Sequence, residues 1–113
     1  MRPYMFVIDA VPLSSNKTCQ DIAGGKVHIW VIADDKETAK IQALEYIAKC
    51  FWKATNIEHG FEIQQEQIPR LHEDEALLYQ KALLFGIAAD FLAYPKKPGN
   101  PNDPVVYRKL EHF

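Results

Sequence analysis

Apolar residues recur along this chain with two different periods. Residues 4–13, Tyr-Met-Phe-Val-Ile-Asp-Ala-Val-Pro-Leu, are rich in β-branched and aromatic types and too short for a good helix, so they predict a first strand. Its even face is Tyr4, Phe6, Ile8 and Ala10, and its odd face is Met5, Val7, Asp9 and Val11. Both faces are largely apolar, which predicts cover on both sides. Pro12 predicts that pairing ends there or that this part lies at an edge. The polar residues 14–24 read as a loop longer than a tight hairpin.

Residues 25–33 predict a second strand. Val27, Ile29, Val31 and Ala33 share one face; His28, Trp30 and Ile32 share the other. The pattern then changes to the helical period over 35–53, where Ala39, Ala43, Leu44, Ile47, Ala48 and Phe51 form an apolar stripe. Asp34, with Glu37 three residues on, reads as the aspartate form of a capping box. The stretch from Gly24 to Glu37 thus reads as turn, strand and helix start.

Residues 55–68 return to alternation, with Ile57, His59, Phe61 and Ile63 opposite Glu58, Gly60, Glu62 and Gln64. Gly60 is a candidate bulge, and Pro69 stops the run. A second helix is predicted over 72–94, opened by Glu73, Asp74 and Glu75, whose charge suits a helix N-terminus. Beyond residue 82 its apolar positions cover most of the circumference, which predicts burial on more than one side. Residues 95–104 hold four of the seven prolines and read as a stiff extended linker. The apolar end at 105–113 could add a short strand.

These elements predict an α+β fold of order β-β-α-β-α(-β), with a single domain over 1–94 and a proline-rich arm over 95–113. The expected sheet is mixed and three-stranded, or four-stranded if the arm joins it. Its strand order is 2-1-3, strands 2 and 3 are parallel, and both helices lie on one face. The arrangement is similar in architecture to a ferredoxin-like half-pattern over roughly residues 4–94. It departs from the β-α-β-β-α-β order of that fold, and no diagnostic motif accompanies it. An architectural likeness of this kind implies no activity.

Composition narrows the classes. The chain has 113 residues, 48% apolar and 25% charged, which suits one globular domain with a core of its own. A net charge of −2 provides no basic field for nucleic acid or an anionic membrane. The longest apolar run, Ala82 to Ala89, is far below the ~20 residues that span a bilayer. Cys19 and Cys50 lack a CxxC spacing and read as reduced thiols, and with no secretory signal pattern the expected location is cytoplasmic.

No glycine-rich phosphate loop, GxSxG, HExxH or paired CxxC is present, so neither a cofactor nor a metal is expected. The candidate chemistry lies on the sheet face expected to be free of helices. There His28 and Trp30 stand with carboxylates from neighbouring strands, and His28, Glu62 and Asp9 are the weak catalytic candidates. Trp30, Ile32 and His28 are the candidates for an interface or ligand site, because such apolar residues on a wet face invite a second subunit. The leading expectation is a self-associating module, dimeric, that binds a protein or a small ligand without catalysis. The alternatives are a small enzyme built on His28 and an antitoxin- or immunity-type protein. The last rests on six carboxylates against one arginine over residues 58–75.

Overall fold

The computed structural model describes residues 1–96 and 108–110. The strands are β1 (Arg2–Pro12), β2 (Ile22–Ala33), β3 (Trp52–Glu62), β4 (Ile87–Pro95) and β5 (Arg108–Leu110). The helices are α1 (Lys36–Lys49) and α2 (Glu73–Phe85), with short 3-10 turns at Lys17–Cys19 and Gln65–Arg70. The fold is α+β. Its one sheet has the order β3-β1-β2-β4-β5, and every neighbouring pair is antiparallel. The expected order of the first three strands holds. Strands β2 and β3 flank β1 and are parallel to each other, as a β-α-β crossover requires. The sheet is nonetheless five-stranded and not mixed.

The expectation of two helices on one face is corrected. Tyr4, Phe6, Ile8, Val27, Ile29 and Val31 pack beneath Ala39, Ala43 and Ile47 of α1. Trp30, of opposite parity, packs with Leu78 and Ala82 of α2, together with Ala88 and Ile63. The helices therefore lie on opposite faces, and the sheet is the middle layer of three. The two-sided apolar pattern of β1 and β2 is the direct cause, because each parity needs its own cover.

Three boundaries differ from those the pattern predicts. The second helix is not 72–94, because it stops at Phe85. Gly86 adopts φ 86°, donates its N–H to the Ala82 carbonyl at 2.7 Å, and releases the chain into β4. Of the dense apolar pattern after residue 82, Leu83, Leu84 and Phe85 are exposed on the last turn of α2, and residues 87–94 belong to β4, whose Phe91 and Ala93 are buried on the α1 face. The first helix ends at Lys49, and Phe51 takes φ 63° with its side chain 56% exposed. That residue is not in the buried stripe; the turn it makes carries Trp52 into the core as the first residue of β3. The N-cap of α1 is Asp35, not Asp34. Its carboxylate accepts the Thr38 N–H at 2.7 Å, and this bond holds the carboxyl below its usual range.

Strand β3 carries two register shifts against β1, one between Val7 and Ile8 and one between Asp9 and Ala10. Glu58 and Thr55 are the extra residues. The shifts return Ile57, Ala54 and Trp52 to the α1 face, whereas His59 lies on the α2 face. Gly60 is not the bulge. It lies opposite Phe6, where an added Cβ would sit 2.6 Å from the ring. Gly24 and Gly25 lie within β2 and do not form its entry turn, since the 3-10 turn at Lys17–Cys19 has already reversed the chain. The proline-rich segment falls mostly outside the described residues.

The left-handed Phe51 is held by its carbonyl, which accepts from the Leu13 N–H at 2.9 Å and from the buried Asn16 Nδ2 at 3.1 Å. Asn16 Oδ1 in turn accepts from the Thr18 hydroxyl at 2.9 Å. Asn16→Ala is therefore expected to destabilise the fold by about 1–3 kcal/mol in urea unfolding, through loss of a buried hydrogen-bonded amide. Phe51→Gly is expected to stabilise it by about 1 kcal/mol, because glycine adopts this φ without strain. A neutral Asn16→Ala would show that the turn is held by other contacts.

Candidate functional site

The α2 face of the sheet is only half covered. α2 packs over Trp30, Met5, Ile32 and Ala88, with its C-terminus at the Gly86 turn, where the Ile32 N–H donates to the Gly86 carbonyl at 2.9 Å. Its N-terminus stops over the middle of β2. Below that point lies a cleft of about 460 Å³ between the sheet and the first turn of α2. Met5, Trp30, Leu78 and Leu92 form its apolar floor and wall; His28, His72, Asp74, Glu75, Asp90 and Lys109 supply the polar groups.

Each polar group has an identifiable origin. His28 follows the parity of Trp30 and is the register partner of Asp90 on β4. Side chains paired this way lie about 5 Å apart at Cβ. Asp90 accepts an ion pair from Lys109 of β5 at 3.4 Å. The His28 ring makes no hydrogen bond to any described residue, so its nitrogens can serve another group. Glu75 is partly committed, since its Oε1 accepts the His72 backbone N–H at 3.2 Å and closes the start of α2.

The structure separates the candidates that the sequence places together. Asp9 lies one row below His28, and both its carboxylate oxygens are engaged. Oδ1 accepts from Lys26 Nζ at 3.2 Å and Oδ2 from Asn56 Nδ2 at 3.3 Å. Lys26 also bridges to Glu58, and these two carboxylates, Glu58 foremost, raise its ammonium above the ordinary lysine range. Glu62 pairs with Tyr4, which puts it on the face opposite His28, and it meets Arg2 at 3.7 Å. Ile32 is half-buried against the α2 cluster. Trp30 is 1% exposed, its ring tilted 54° to that of Tyr79 with centroids 5.8 Å apart. It borders the cleft but is first a core residue.

Asp90 and Leu92 are missed when 86–94 is read as helix, and Lys109 because only the completed sheet sets β5 beside β4. The signal for the first two is Gly86, which can end a helix and release a strand.

A second cleft of about 420 Å³ lies at the far end of the sheet, lined by Leu13, Asn16, Cys19, Ile22 and Lys96 among others. It brings no histidine or carboxylate together. Cys19 is buried there, and burial pushes the Cys50 thiol up, which leaves it a poor nucleophile. Among the described residues no group of three or more metal-ligating side chains converges, and no helix is long and apolar enough to cross a membrane.

No family model matches the chain, and no curated protein and no solved structure matches it. The cleft's geometry and chemistry are therefore the basis for a functional reading.

The two residues bordering the cleft have separable duties, and unfolding measurements distinguish them. Trp30→Ala is expected to destabilise by about 3–5 kcal/mol, the range for truncating a buried tryptophan. His28→Ala is expected to change stability by less than about 0.5 kcal/mol, as for a residue without a structural partner. A large loss at His28 would make it part of the scaffold.

Proposed function

We propose that this chain is a non-catalytic binding module for a small organic ligand, and that the cleft beside His28 is its site. The observation that supports this reading is the incomplete second helical layer. A sheet face otherwise buried under α2 opens abruptly into a concavity with an apolar floor and a few convergent polar groups. That is the usual composition of a ligand pocket. The floor of Met5, Trp30 and Leu92 suits a ligand with an aromatic or apolar body. His28 and Glu75 offer it a hydrogen-bonding and a charged end.

Binding is favoured over acid–base catalysis by the state of Asp90. A catalytic histidine is generally oriented by a carboxylate, and the one beside His28 is drawn instead toward Lys109. Asp9 and Glu62 are committed elsewhere.

A screen of small aromatic amines and carboxylates by two-dimensional amide NMR tests this reading. Weak binders, with dissociation constants on the order of millimolar as expected of fragments, should shift the resonances of His28, Asp90, Leu92 and the Trp30 indole together. Leu92→Trp, which fills the cleft from a half-buried strand position, should weaken those binders at least about tenfold while the fold is retained, a difference of ~1.4 kcal/mol. Shifts confined to other surfaces would place the binding site elsewhere.

A further inference from the structure

The charge of the cleft beside His28 is uneven. Asp74, Glu75 and Asp90 bring three carboxylates to it, and Lys109 brings the one ammonium. They come from separate elements, the first turn of α2 and the strands β4 and β5. Lys109 is engaged by Asp90, which it meets at 3.4 Å. Asp74 makes no ion pair with any described residue. Glu75 commits only Oε1 to the chain, accepting the His72 N–H at 3.2 Å, and its Oε2 remains for another donor. Two carboxylates are thus left over beside the apolar surface of Met5, Trp30, Leu78 and Leu92.

We infer that the ligand of this cleft is an organic cation, a primary amine carried on an apolar or aromatic body, an assignment that rests on the reading of the cleft as a ligand site. The start of a helix ordinarily favours an anion, because the backbone there carries about half an elementary positive charge. Here Glu73, Asp74 and Glu75 fill the first turn, and three carboxylates outweigh that half charge. An anionic ligand would meet two of them directly. An ammonium offers three donors and no acceptor. The cleft supplies the matching acceptors: the Asp74 carboxylate, Oε2 of Glu75 and a ring nitrogen of His28. The body of the amine then lies against Met5, Trp30 and Leu92, where its removal from water adds affinity without direction. A bare metal ion fits the cleft less well, because no three metal-ligating side chains converge among the described residues.

Phenethylamine, hydrocinnamate and phenethyl alcohol share one aromatic body and differ in charge, and their titration into the full chain at neutral pH, followed by amide NMR, is the test. The amine is expected to shift His28, Asp90 and Leu92, and to bind more tightly than the alcohol and at least about fivefold more tightly than the carboxylate, as two exposed charge pairs made by one and opposed in the other imply. Added sodium chloride should weaken the amine and leave the alcohol unchanged. Glu75→Gln keeps the bond to the His72 N–H, since glutamine closes a helix start as glutamate does. Combined with Asp74→Asn it should retain the circular dichroism of the native chain and lose most of the preference for the amine. Glu66→Gln, in the turn before α2 and outside the cleft, should leave that preference intact. Hydrocinnamate or the alcohol binding the cleft as tightly as the amine overturns the assignment of an amine and leaves the cleft a ligand site. A preference that survives the double variant overturns it in the same way. Cleft resonances that respond to none of the three overturn both the assignment and the reading beneath it.

Discussion

Strand β2 is enclosed on the α1 face from Gly25 to Ala33 and on the other face at Trp30, and the rest of the structure depends on that constraint. Val27, Ile29, Val31 and Ala33 lie under α1 and are at most marginally exposed, while Trp30 on the opposite parity is equally enclosed by α2. A strand with two apolar faces is stable in water only as the middle of three layers. It also needs hydrogen-bonded neighbours on both edges, which β1 and β4 provide. α1 covers Tyr4, Phe6, Ile8 and the aliphatic residues of β2, and α2 covers Trp30, Met5 and Ala88. Ala39, Ala43 and Ala82 allow close approach, and Trp30 fills the space that α2 leaves.

Much of this was legible in the sequence, and the errors have a common physical source. β1, the two parities of β2, the buried Ala39, Ala43 and Ile47 of α1 and the placement of β1 between β2 and β3 follow from alternation and helical spacing. The miss at residues 86–94 arises because a strand buried on both faces is continuously apolar, and so is a buried helix. Gly86 alone separates the two readings, since a left-handed glycine ends α2 there. The boundary at Phe51 is less legible, because an aromatic residue at φ 63° is unfavourable in itself and is held by Asn16, thirty-five positions away in the chain. The bulges of β3 are similarly silent, being properties of its pairing with β1 and not of its own pattern.

The site shows the same division. His28 and Trp30 stand out in the sequence because their parity is already rich in apolar residues, and the structure gives each a different reason. Trp30 is needed by the fold. His28 lies where α2 has ended, and its neighbours Asp90 and Lys109 come from strands that only the completed sheet brings alongside. Asp9 and Glu62 looked equally available but belong to other pairings. One is locked into the Lys26 cluster and the other lies on the opposite face. Residue type and parity therefore locate a face, while the order of strands decides which charges meet on it.

α2 borders the proposed cleft, and its energetics bear on binding there. Its buried contacts are few: Leu78 and Ala82 are its only fully enclosed side chains, against Ala39, Ala43 and Ile47 for α1. A layer held by so little apolar area opens at a lower free energy than the core beneath it. Any ligand in the cleft touches its first turn, binds only the docked helix and so stabilises it by mass action. Its apparent affinity is lowered by the fraction of chains in which α2 is undocked, so a change that holds α2 on the sheet tightens binding only as far as that fraction allows.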